Sequence, residues 1–176
     1  IDEDTQTRLT HAIVACPNGA IRMSDSMPGL VETSTNLAIV RSEQETKSVN
    51  IACLMRSSVD SAKAELGSRM ESVFSLAGAE VKLTGGYPGW KPDMDSPILK
   101  TMQQVYLTKF GRIPEIKAIH AGLECGILGG TYPRWDMISF GPTIRFPHSP
   151  DEKVNIESVG KFWEFLVESL KNIPAR

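Results

Sequence analysis

The sequence has little of what announces a chemistry by itself. Among its 176 residues are only three cysteines (Cys16, Cys53 and Cys125) and three histidines. The cysteines stand far apart and form no CxxC pair, which excludes a zinc-finger framework. Their odd number fits buried thiols in a reducing compartment better than a disulfide scaffold. Charge of one sign is also missing: 19 Lys+Arg against 21 Asp+Glu leaves a net −2. Such a balance carries no electrostatic footprint for nucleic acid or an anionic membrane. No apolar run is long enough to span a bilayer, and the opening IDEDTQTRLT does not read as a secretory signal. G-x-S-x-G, a P-loop, H-E-x-x-H and a dinucleotide fingerprint are all absent. These absences point to a soluble, cytoplasmic protein with neither nucleic acid nor membrane as partner.

What is present is ordinary globular material. Hydrophobic residues make up 41% of the chain, enough to build a sizeable core without a disulfide or structural metal. The length suits one large domain or two small ones.

Residues 1–10 are polar and read as a poorly ordered end or an incoming connection. HAIVACPNGAIRMS reads as strand, turn and short strand, with Pro17-Asn18-Gly19 supplying the turn. After Pro28-Gly29, LVETSTNLAIVRSE alternates its faces, and SVNIACLMRSS makes an antiparallel partner. Asp60 or Ser61 is placed to cap a helix running to about Leu76. Val59, Leu66, Met70, Val73, Phe74 and Ala77 form its apolar stripe, and Gly78 closes it. AEVKLTG reads as a further strand, giving a mostly antiparallel α+β unit.

Composition then shifts at YPGWKPDMDSP, Tyr87 to Pro97, with three prolines. This stretch reads as a domain junction. Beyond it the expected order is helix (about 96–110), strand (PEIKAIHA), short helix (about 122–129), strand (DMISFG), loop and final helix (about 156–172). Alternation at this spacing suggests α/β layering around a parallel or mixed sheet. The last helix carries a broad apolar face: Val159, Phe162, Trp163, Phe165, Leu166, Leu170 and Ile173. Trp90, Trp135 and Trp163 read as core residues rather than base-stacking platforms.

Four places could carry chemistry. His148 lies in GPTIRFPHSPDEKVN between two prolines, which would stiffen the backbone and hold an imidazole at the fixed geometry a metal needs. The bland alternative is a histidine on a surface loop. Asp151 and Glu152 could support that ligand, or could serve as N-terminal charges for the following helix. His120-Ala-Gly-Leu-Glu124-Cys-Gly sits where a strand meets a helix. Gly122 there would leave backbone N–H groups open to a carboxylate or oxyanion, unless it serves only a tight turn. Arg56 ends an apolar strand, where a guanidinium could clamp a carboxylate or simply be solvated. A Cys–His pair of Cys125 with His120 or His148 is the weaker reading, since nothing marks Cys125 as activated.

The stretches CPNGAIRMSDSMPGLVETSTNLAIV, AIHAGLECGILGGTYP and DMISFGPTIRFPHSPDEKVNIESVGKFWEFLVESLKNIP together resemble the aminoacyl-histidine dipeptidases. These are di-zinc metallopeptidases related to glutamate carboxypeptidase and aminoacylase. The resemblance covers nearly the whole chain, but only the C-terminal third or slightly more of the family enzyme. It implies that residues 1–88 are the second part of an inserted lid, or dimerisation-type, domain and 89–176 the C-terminal part of the catalytic domain. The implied fold class is thus an antiparallel α+β part followed by an α/β part. By resemblance His148 is the C-terminal zinc ligand, while Arg56 and Gly122 bind substrate. Where the family has Gly-Ala-His, this chain has Phe146-Pro147-His148.

The resemblance implies two zinc ions in the full-length enzyme and a dipeptide substrate of the Xaa-His type. Hydrolysis would proceed by metal-activated water attack on the peptide carbonyl, and the protein could form homo-oligomers. The other ligands and the glutamate general base precede the lid in the family, and no H-x-D motif occurs here. The isolated chain is therefore expected to be inactive. A reading of another class is a non-catalytic α+β assembly module.

Overall fold

A computed structural model describes residues 1–118 and 124–173. The chain forms two compact units, one of Ile1–Pro92 with Ala118–Pro133 and one of Asp93–Lys117 with Arg134–Arg176.

In the first unit the polar opening is a helix, not a loose end followed by a strand. Helix α1 spans Glu3–Ala15. The carboxylate of Asp2 accepts from the Thr5 backbone N–H at 2.9 Å, and Glu3 and Asp4 sit at the positive helix end. Arg8 ties to Asp4 one turn away and donates to the Ala77 carbonyl. The β-branched pair Ile13-Val14 suggested a strand, yet those side chains are exposed while Ala12 and Cys16 enter the core. Capping and the burial of one narrow stripe outweigh local β propensity here.

Strands β1 (Gly19–Met23), β2 (Val31–Glu43) and β3 (Ser48–Ser57) form an antiparallel sheet in the order β1-β2-β3. Register pairs Ser34 with Arg56 and Thr35 with Met55. Alternation along β3 sends Ile51, Cys53 and Met55 inward and leaves Leu54 and Arg56 outside. Helix α2 (Asp60–Leu76) lies on the inner face. Its Leu66, Met70 and Phe74 meet Ala12 and Cys16 to form the core. Ala77 caps the helix, and Gly78, at φ +80°, turns the chain away.

The expected strand AEVKLTG forms no ladder. Val81 packs on the core, and Leu83 reaches the helix at Gly67, so the segment lies against side chains of α2 rather than beside a strand. Helix α4 (Glu124–Thr131) completes the unit, and part of the expected 122–129 helix lies outside the described residues.

The second unit is built on two helices. In α3 (Pro97–Phe110) the Ser96 hydroxyl accepts from the Leu99 N–H. Asp136 accepts from the Ser96 hydroxyl at 2.6 Å and from the Ile98 N–H at 2.8 Å, so its carboxylate also serves the positive end of α3. Gly111 ends the helix at φ +69°. Helix α5 spans Ile156–Asn172, with the Asn155 side chain capping it. Met102, Val105 and Phe165 form the core between them, and Tyr106 and Phe110 meet Phe165 at ring-centroid distances of 5.1 and 6.4 Å.

Three expectations change in this unit. Neither the described part of PEIKAIHA nor DMISFG forms a ladder, and the described residues contain no parallel strand pair. Ile138 and Phe140 turn to the helical core instead, and Asp136 is spent on α3. The two short strands, β4 (Ile144–Arg145) and β5 (Lys153–Val154), pair with each other as an antiparallel hairpin. The broad apolar face of α5 is only partly used: Trp163 and Leu170 remain 62% and 60% exposed. Trp135 is likewise exposed rather than in the core. The architecture is mixed α+β with small antiparallel sheets.

Leu66 is 2% exposed at the centre of the first core, whereas Leu76 on the same helix is 88% exposed. Leu66→Ala is expected to cost about 3 kcal/mol in urea unfolding followed by circular dichroism. Leu76→Ala should stay within about 0.5 kcal/mol of the parent.

Candidate functional site

Arg56 stands exposed on the outer face of the first sheet, opposite Ser34, with no ion-pair partner among the described residues. Its guanidinium is thus available to a ligand carboxylate. The chain immediately after it is closely held. The Ser57 hydroxyl is 2.8 Å from the Thr33 hydroxyl and accepts from the Val59 N–H, while the Ser58 N–H donates to the Glu32 carbonyl. Ser57 and Ser58 are both buried.

Against this strand exit lies the stretch that composition marked as a junction. A Cβ at Gly89 would fall 2.6 Å from the Ser58 carbonyl oxygen and 3.0 Å from that of Ser57, so no side chain fits. On the other side, a Cβ at Gly126 of α4 would fall 2.7 Å from the Pro88 carbonyl oxygen, and one at Gly130 would fall 2.8 Å from the Pro88 ring. Pro88-Gly89 is wedged between the β3 exit and α4. Asp60 and Lys63 lock it there. One Asp60 oxygen accepts from the Gly89 N–H and from the Lys63 ammonium, each at 2.9 Å, and Lys63 also donates to the Tyr87 carbonyl. The Lys63 ammonium and the Gly89 N–H hold the Asp60 carboxyl below its ordinary value. Asp60 is therefore not the helix cap expected from sequence. Val59 occupies that position without a side-chain bond, and the Asp60 carboxylate is committed to residue 89.

His148 belongs to the second unit, at the tip of the β4–β5 hairpin. Its φ is +63° and that of Phe146 +54°, a left-handed backbone that non-glycine residues adopt at a cost. The turn is held by the Glu152 carboxylate, which accepts from the His148 N–H at 2.8 Å, and by the Ser149 hydroxyl donating to the Phe146 carbonyl. Glu152 thus serves the backbone of the hairpin. His148 is exposed. Gly122 and His120 lie outside the described residues.

Among the described residues no three or more His, Cys, Asp or Glu side chains come together as a metal site. The donors among the described residues do not make up a two-zinc centre. Burial and the neighbouring Glu124 carboxylate push the Cys125 thiol up, opposite to the activation that a nucleophile needs. Lys63, Gly89, Gly126 and Gly130 escaped the sequence reading, and Asp60 was read only as a helix cap. The signals were there in the Pro-Gly of YPGW and the four-residue spacing of the α4 glycines.

The chain is a mixed α+β segment similar to part of larger dipeptidases. No protein-family model matches it. Over 173 residues, 98% of its length, it is 49% identical to the cytosol non-specific dipeptidase of Escherichia coli (strain K12). Its structure is similar to that of the aminoacylhistidine dipeptidase from Vibrio alginolyticus, with a TM-score of 0.86 and 47% identity over 99% of this chain. The resemblance to dipeptidases stands on both grounds, and that to an aminoacylhistidine dipeptidase on the solved structure. The chain spans 35% of the length of each of these two relatives. Aminopeptidase PepT from Bacillus cereus shares the fold, with a TM-score of 0.77 at 20% identity, over 95% of this chain and 44% of that one.

The Asp60 lock has a pH signature. A carboxyl with a lowered folded value contributes its stability in full above the ordinary aspartate value of 3.8, and loses it as pH falls through the lowered one. In an NMR titration the Gly89 amide proton should hold its shift down to that value and move only below it. A midpoint above 3.8 would show that the bond is not formed in solution.

Proposed function

We propose that this chain is the C-terminal part of a longer zinc-dependent dipeptidase acting on Xaa-His dipeptides in the cytoplasm. The observation that supports this most is the 49% identity to a dipeptidase along 98% of the chain, joined to a TM-score of 0.86 with an aminoacylhistidine dipeptidase. On this reading residues 1–88 form the second part of a lid domain and 89–176 the C-terminal part of the catalytic domain. Arg56 pairs with the substrate carboxylate, an arrangement suited to its exposed guanidinium at a tightly held strand end. Gly122 lines the substrate by its backbone, as the family resemblance implies.

His148 is the C-terminal ligand to a pair of zinc ions, as the family resemblance implies. The remaining ligands and the general base lie in the part of the enzyme that the chain does not span. The isolated 176-residue chain is accordingly silent as a catalyst. No helix among the described residues is long and apolar enough to cross a membrane, which agrees with the cytosolic location in the E. coli relative's name.

A second reading, a non-catalytic module that assembles with further copies, draws support from the exposed apolar face of α5. Metal analysis separates the two. In the full-length protein, His148→Ala should remove about one of two zinc ions per chain after dialysis, because a zinc site that loses one of its few protein ligands no longer holds the ion tightly. Unchanged zinc content would remove His148 from the site. A full-length protein that binds no zinc would leave the assembly reading.

A further inference from the structure

Arg56 can bind a carboxylate productively only if the strand end that carries it keeps a fixed direction. On one side the exit of β3 is held by the Thr33–Ser57 hydroxyl contact and by the Ser58 N–H on the Glu32 carbonyl. On the other it is held by a backbone segment, Tyr87–Gly89, that comes from far along the chain. We propose that Asp60 and Lys63 are positioning residues that clamp this connector against the β3 exit and thereby set the position of Arg56. The inference rests on the reading of Arg56 as the carboxylate-binding group.

The geometry is over-determined at the connector. Asp60 and Lys63 between them hold both the Gly89 N–H and the Tyr87 carbonyl, so the peptide units on either side of Pro88 are fixed. Gly89 can approach Ser57 and Ser58 only because it has no side chain, and Gly126 and Gly130 close on Pro88 from the far side for the same reason. A connector in such close contact transmits any displacement to the β3 exit, since there is no slack to absorb it.

The ionic contact itself holds little of the fold. The Asp60 side chain is 60% exposed and that of Lys63 25%, so the pair is a surface salt bridge of small stabilising worth. The core of Leu66, Met70 and Phe74 lies elsewhere along α2. A pair that contributes little to stability, yet fixes two backbone groups beside the proposed ligand-binding arginine, is better explained by placement than by folding. Asp60 also begins α2, where a negative charge meets the positive helix end.

The test uses the full-length protein with an Xaa-His dipeptide and the same dipeptide amidated at its C-terminus. Asp60→Asn and Lys63→Met should each raise KM for the free dipeptide about tenfold, as a small misplacement of a binding group does, with kcat within about twofold. KM for the amide, which lacks the carboxylate, should be the same in parent and variants. Combined with Arg56→Ala, the Asp60→Asn change should add nothing further, because both remove one interaction. Gly126→Ala provides a variant without a charge change, pressing on Pro88 from α4, and should act in the same direction.

If Arg56→Ala raises KM while Asp60→Asn and Lys63→Met leave it alone, the clamp is overturned and the role of Arg56 survives. If Arg56→Ala leaves KM and the preference for a free carboxylate unchanged, the Arg56 reading is overturned and the clamp with it. Variants that raise KM equally for the acid and the amide would show a general structural effect, which also overturns the positioning role.

Discussion

Between Gly89 and the carbonyl groups of Ser57 and Ser58 there is no room for a single methyl group. That steric limit organises the first unit beyond its sheet. It requires glycine at 89, sets the path of Tyr87–Gly89 across the β3 exit, and leaves the Gly89 N–H pointing at the Asp60 carboxylate. It also explains why α4 presents two glycines one turn apart, since Pro88 occupies the space their side chains would need. A segment that composition marks as a domain junction is, over these three residues, closely held on both sides.

The two units solve the problem of burial differently. The first has a conventional core, with one helix laid on the inner face of a three-stranded sheet and a second helix closing it. The second depends on one helix pair with a cluster of aromatic rings, and its extended segments give side chains to that cluster without pairing as strands. Its longest helix keeps a stripe of large apolar side chains in water, among them Ile156, Trp163 and Leu170. On the proposed reading this face belongs to a catalytic domain whose other parts lie outside the chain.

Sequence was a good guide where period and caps agreed. The α5 limits follow from an apolar repeat, α2 from its stripe and Gly78, and the β2–β3 pairing from alternation. It misled where propensity and context diverged. Ile13 and Val14 suggested a strand although the Asp2 cap and the acidic first turn favour a helix, and PEIKAIHA and DMISFG have strand composition without a partner strand among the described residues. For the candidate site, His148 and Arg56 were legible as residue types in suggestive places. The lock between Asp60, Lys63 and Gly89 was not, because it joins positions far apart in the chain, and only the close approach of two backbones reveals it. The left-handed turn at Phe146 and His148 was equally invisible, since proline neighbours announce stiffness but not its sign.

The central proposal is that the chain is one part of a longer dipeptidase, whose catalytic groups lie partly in it and partly in the rest of that polypeptide. Release of free histidine from an Xaa-His dipeptide in the presence of zinc tests this most directly, measured side by side for the isolated chain and the full-length protein. The account predicts release by the full-length protein and none by the chain. Zinc-dependent release by the isolated chain, or none by the full-length protein, would contradict it.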